Sequence, residues 1–179
     1  MFLLEHLDQT VKKAKSQIAN ILTLINLGLG ALSIVFVLQN ELRMALLLIT
    51  IAAVCDRLDG AAARRFNATS EFGKQLDSLS DIVSFGVAPA ILIHQAILHE
   101  FGSVGAIFAI LFILCGAIRL ARFNVTESNR YFVGLPITAA GCILTFSTLL
   151  VPFLEPYSFM FITIILALMM VSTFTVRKM

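Results

Sequence analysis

The chain has 179 residues, 59% of them hydrophobic and only 13% charged, with a mean hydropathy of +0.94. An ordinary soluble domain is about 45–50% apolar and about 25% charged. This composition therefore excludes a disordered chain, a collagen and a water-soluble globule, and its net charge of +2 is too small to suggest a nucleic-acid partner.

The first predicted element covers residues 1–17. Leu3, Leu4, Leu7, Val11, Ala14 and Ile18 recur at helical spacing on one face, and Lys12, Lys13 and Lys15 fall off it. That pattern predicts an interfacial amphipathic helix lying on anionic lipid. The run Phe2-Leu3-Leu4, followed by Glu5, is too short for the apolar core of a signal peptide.

Six segments long enough to cross a bilayer follow, near 18–39, 42–64, 73–98, 103–123, 132–153 and 156–176. A crossing needs about 20 apolar residues, and in hydrocarbon the backbone must satisfy itself within the segment, so helices are expected. The expected fold is a single all-α integral membrane domain with six transmembrane helices plus the N-terminal interfacial helix. Pro89 and Pro136 are expected to kink their helices. Six crossings put both termini, the 2–3 connection and the 4–5 connection on one side, together with every one of the 13 Lys and Arg except Arg43. The positive-inside rule makes that side cytoplasmic, in the cell membrane. Cys55, Cys115 and Cys142 stand apart in apolar segments and read as small buried residues. His6, His94 and His99 are dispersed, and Glu41, Glu100 and Glu155 read as solvated caps of outer turns.

The chemistry is concentrated where segment two ends and segment three begins. Asp56 and Asp59 are three apart, and Asp77 and Asp81 are four apart. Such pairs share a helix face, and a short connection makes the two helices antiparallel neighbours, so the four carboxylates can converge. Charges at the edge of apolar helices are costly and functional by default. Four carboxylates would drive one another to protonate, whereas two divalent cations balance them. An all-oxygen set without His or Cys suits Mg²⁺ or Mn²⁺, and paired metals serve displacement at phosphorus. Arg64, Ser70 and Lys74 lie on the same side, available to phosphate oxygens. Charge alone also allows an ion or proton pathway in a transporter, or aspartates paired with Arg57, Arg64 and Arg119.

The full spacing reads Asp56-x2-Asp59-Gly60-x2-Ala63-Arg64-x8-Gly73-x3-Asp77-x3-Asp81. It resembles the complete signature of the CDP-alcohol phosphotransferase family. Eight fixed residues at about 7% frequency each arise by chance at roughly one starting point in 10⁹. The resemblance implies about six spans, an interfacial N-terminal helix, a cytoplasmic site and a homodimer. It also implies transfer of a phosphatidyl-type group from a CDP-linked lipid to an alcohol, with release of CMP. The stretches Asp77 to Ala90, Arg119-Leu120-Ala121-Arg122-Phe123-Asn124 and Gly134-Leu135-Pro136 resemble the serine-transferring branch of small bacterial and archaeal members. Ile82 stands where the phosphatidylglycerophosphate-forming branch usually has Lys, Ala19 precedes Asn20 where proline is common, and Thr138 stands where the serine branch often has proline.

The resemblance assigns roles residue by residue. Asp56, Asp59, Asp77 and Asp81 are expected as metal ligands, with Asp81 also the general base. Gly60, Arg64, Ser70 and Gly73 are expected to hold the CDP moiety, with Asn20 and Thr23 facing the nucleotide and Lys74 near the phosphates. The expected substrates are CDP-diacylglycerol and L-serine. The serine carboxylate wants a guanidinium fork, for which Arg119 and Arg122 are candidates beside Asn124, and Ser84 and Phe85 are candidates to line the pocket. Glycerol 3-phosphate or inositol phosphate as acceptor would call for a denser basic pocket beside Asp81. A carrier would show repeat symmetry or paired broken helices, and neither is visible in the sequence.

Overall fold

The computed structural model describes residues 2–65, 71–125, 131–172 and 175–177. Helix α1 (Phe2–Leu38) runs into α2 (Leu42–Arg65) through a tight turn. Asn40 takes a left-handed φ of 63° there. Its N–H donates to Val37 O and that of Glu41 to Phe36 O, both at 2.9 Å, so the last carbonyls of α1 are satisfied. The expected interfacial helix at 1–17 continues without a break into the first span, α1 being one 37-residue helix. No Gly or Pro stands between Phe2 and Leu27, so nothing in the chain stops the helix near residue 17.

The third segment changes character along its length. Helix α3 (Glu71–Asp81) opens into a π-helical stretch, Ile82–Val87, and closes again as α4 (Ala88–Ala96). Pro89 lacks the N–H that an α-helix would send to Phe85 O. The chain answers with wider turns before it: the Ala88 N–H donates to Val83 O, five residues back. The expected kink at Pro89 thus takes the form of a π stretch starting immediately after Asp81. Such stretches gather at functional sites.

A single 3₁₀ turn, Leu98–Phe101, leads to α5 (Ser103–Val125), and α6 (Ile137–Ser147) continues as a 3₁₀ turn to Leu150 before α7 (Pro156–Val171). Two expected spans begin or end differently from the sequence reading. Tyr131–Val133 form a short strand, β1, that pairs antiparallel with β2 (Thr175–Arg177). Thr175 and Val176 are β-branched and favour the extended backbone of β2. Pro136 does not kink a helix; it caps α6, where a missing N–H costs nothing.

Among the described residues, three stretches are long and apolar enough to cross a membrane: Asn20–Leu38, Glu71–Ala96 and Ser103–Val125. Ile137–Leu150 and Pro156–Val171 are shorter apolar helices. Leu24, Leu32, Ile110, Leu114, Phe161 and Leu168 point outward, which suits lipid and not water. The protein is an all-α integral membrane protein whose only described β-structure is the three-residue ribbon. Its core gathers around the π stretch, with Phe85, Phe112 and Phe159 fully buried. Gly30 of α1 lies against Ser84, and Gly141 of α6 lies against Phe85, close enough that neither position has room for a Cβ.

Candidate active site

Asp56 projects from α2, and Asp77 and Asp81 from α3. One carboxylate oxygen from each lies within 4.8 Å of the others. All three side chains are half-buried. The convergence follows from two local facts: Asp77 and Asp81 share a face one turn apart, and α2 and α3 flank a short connection. The side chains of Asp59 and Arg64, and all of Ser70, lie outside the described residues.

Three carboxylates this close repel one another. The arrangement needs positive charge. Arg119 of α5 supplies part of it, because its guanidinium lies close enough to Asp81 to interact electrostatically. Its Nε is buried and makes no hydrogen bond among the described residues. A hard divalent cation would supply the rest, and the donor set fits one: clustered carboxylate oxygens, with no His or Cys among them.

A second layer holds the cluster in place. Thr138 Oγ1 of α6 donates to Asp56 Oδ2 at 3.4 Å. Ser80 Oγ donates to Thr23 O at 3.2 Å, and Ser84 Oγ to Asn26 O at 3.0 Å, so α3 and the π stretch are tied to α1 on both sides of Asp81. Lys74 Nζ donates to Asn124 O at 3.2 Å, while Asn124 Nδ2 donates to Ser78 Oγ at 2.9 Å. Thr23 is buried, and Asn20 of α1, Gly60 of α2 and Gly73 of α3 are half-buried.

Four residues expected at a serine pocket make contacts within the fold. Ser84 and Phe85 are fully buried, Ser84 in its bond to α1 and Phe85 against Gly141. Both meet neighbouring helices there, α1 at Ser84 and α6 at Phe85. Arg122 is exposed, and its Nη1 donates to Val171 O at 2.9 Å, capping the C-terminus of α7. Asn124 serves as a tie between α5 and α3. Of the expected pair of guanidiniums, Arg119 lies close enough to Asp81 to interact with it.

Two residues escaped the sequence reading. Asn26 is fully buried and its carboxamide makes no hydrogen bond among the described residues. It extends the Asn20–Thr23 face at the same three-residue spacing, which was the available signal. Thr138 was noted only as a departure from proline, because no spacing rule links α6 to α2.

The model of the CDP-alcohol phosphatidyltransferase family matches residues 16–175. The chain belongs to this family. Family membership places the described carboxylates in a setting that uses divalent metals. Among similar curated proteins is a CDP-diacylglycerol–serine O-phosphatidyltransferase of Helicobacter pylori (strain J99). It is 40% identical over 134 residues, which cover 73% of this chain and 56% of that protein. An archaetidylserine synthase of Methanothermobacter thermautotrophicus is 40% identical over 167 residues, 90% of this chain and 71% of that protein. A CDP-diacylglycerol–serine O-phosphatidyltransferase of Bacillus subtilis (strain 168) is 38% identical over 121 residues, 67% of this chain and 68% of that protein. The chain thus spans a little over half the length of the Helicobacter relative.

Proposed function

We propose that the protein transfers the phosphatidyl group of CDP-diacylglycerol to the hydroxyl of L-serine, releasing CMP. The observation that carries this reading is the meeting of Asp56, Asp77 and Asp81 at the signature, with one oxygen from each inside 4.8 Å. The acceptor assignment draws its support from relatives whose names specify serine.

The serine oxygen forms a bond to the lipid-side phosphorus, and the bond from that phosphorus to the CMP oxygen breaks. A serine hydroxyl attacks poorly at neutral pH, so its proton passes to a carboxylate as the bond forms. Asp81 takes that proton, one turn deeper than Asp77 on the shared face. Two Mg²⁺ or Mn²⁺ ions, held by Asp56, Asp59, Asp77 and Asp81, would supply the positive charge that a diphosphate and its leaving group require. The direct route is favoured because no His or Cys lies in the signature to act as a nucleophile. Asn20, Thr23, Gly60, Arg64, Ser70, Gly73 and Lys74 hold the CDP end. Arg119 receives the serine carboxylate with its fork of N–H donors. The protein works as a homodimer in the cell membrane with six crossings, its termini and site facing the cytoplasm.

The deciding assay incubates purified protein and CDP-diacylglycerol with Mn²⁺ or Mg²⁺ and a panel of alcohols, and follows CMP. Serine is expected to release CMP; product only with glycerol 3-phosphate or inositol phosphate would overturn the acceptor assignment. Arg119→Ala is expected to raise the serine KM about tenfold or more, the loss of a charge-assisted contact of about 1.5–3 kcal/mol, and to change the KM for the CDP-lipid little. An equal rise in both constants would remove Arg119 from the serine site.

A further inference from the structure

We propose that Thr138 is a positioning residue whose hydroxyl sets the orientation of Asp56 for divalent-cation binding. The inference rests on the reading that the acidic cluster holds such cations.

The geometry starts from the first turn of α6. Thr138 is its second residue, and its Oγ1 reaches across to Asp56 Oδ2 on α2 at 3.4 Å. A threonine deep in a helix usually returns its hydroxyl to a carbonyl one turn back. At the second position that carbonyl belongs to the preceding turn and not to the helix, so the hydroxyl is free to serve a neighbour. The first N–H groups of a helix also lack partners within it, and that end carries the positive pole of the peptide dipoles. Both features favour a carboxylate at this place.

The backbone that carries Thr138 is held from two sides. Ile137 is 1% exposed, and its Cδ1 lies 2.7 Å from where a Cβ on Gly116 would stand, with Gly86 bordering the same notch. On the other side, Gly134 adopts φ 75° and the Leu135 N–H donates to Met169 O at 3.0 Å. A threonine hydroxyl is one torsion from the main chain, so a fixed backbone fixes the donor. Contact with one oxygen of Asp56 restrains the plane of its carboxylate against repulsion from Asp77.

Groups that orient a metal ligand typically change metal affinity 10–100-fold when removed. The test is a Mn²⁺ titration of purified protein without substrates, reading free Mn²⁺ by electron paramagnetic resonance, on the wild type, Thr138→Val and Thr138→Ser. Thr138→Val keeps the shape and removes the hydroxyl; its Mn²⁺ dissociation constant is expected to rise about tenfold, while the metal-free melting temperature is unchanged. Thr138→Ser is expected to bind like the wild type. Equal affinity in Thr138→Val and wild type overturns the proposal, and so does an equal loss in Thr138→Ser. If Thr138→Val does not fold, Thr138→Ala is read by the same titration. A wild type that binds no Mn²⁺ overturns the metal reading itself, which separates that failure from this one.

Discussion

Asp81→Asn is expected to lower the rate of CMP release by at least about 10³-fold while leaving the fold intact. A general base alone contributes about 10²–10⁴-fold, and the same substitution weakens a metal ligand. The substitution tests more than catalysis. One oxygen each of Asp56, Asp77 and Asp81 lies within 4.8 Å of the others, so removing one charge relieves repulsion in the absence of ions. The metal-free variant is therefore expected to melt no lower than the wild type, and to lose most of the rise in melting temperature that Mn²⁺ gives the wild type. Turnover and melting in detergent, each with and without Mn²⁺, check both halves. Near-normal turnover would remove the base assignment, and an undiminished Mn²⁺ response would remove Asp81 from the metal ligands.

The second large effect concerns the π stretch that follows Asp81. Gly30 and Gly141 press on it from opposite partners, α1 and α6. A Cβ at Gly30 would stand 2.7 Å from Ser84 Cα, and one at Gly141 would stand 2.9 Å from Phe85 Cα. Backbone atoms cannot swing aside as side-chain tips can, so a helix has to move. Gly30→Ala and Gly141→Ala are each expected to cost about 1–3 kcal/mol of stability, the usual range for overpacking. Turnover is expected to fall with it, because the segment being displaced begins one residue after Asp81. Adding Ser84→Gly to Gly30→Ala is expected to rescue neither, since the contact with Ser84 Cα persists. Wild-type melting and turnover in Gly30→Ala would show that the seam between α1 and the π stretch is soft.

The acidic cluster was legible because its information is local. Spacings of three and four residues fix which carboxylates share a face, and apolar flanks fix that the faces are helical. Helix α2, the Asn40 turn and the start of α5 were legible on the same grounds. The features that were not legible depend on partners distant in the chain. Gly141 lies against Phe85, and Thr138 on Asp56, through packing that no periodicity announces. The π stretch hides because its residues are as apolar as an α-helix would be; only Pro89 marks it, and proline does not specify whether a helix bends or widens. The ribbon of Tyr131–Val133 with Thr175–Arg177 was masked by apolar residues that count equally toward a span and a strand. The bond from Arg122 to Val171 O, which ties α5 to the end of α7, likewise joins residues far apart in the chain.

The shortness of the last two helices bears on how a lipid headgroup meets this site. Ile137–Leu150 has 14 residues and Pro156–Val171 has 16; at 1.5 Å per residue these are roughly 21 and 24 Å long. A hydrocarbon slab is about 30 Å thick, so hydrophobic mismatch draws the bilayer thinner along that flank or lets water dip inward. Asp56, which meets Thr138 in the first turn of the shorter helix, lies at the end of that helix. In the proposed reaction, a diphosphate attached to two greasy tails would approach that end by sliding sideways, without its charge being dragged through oil.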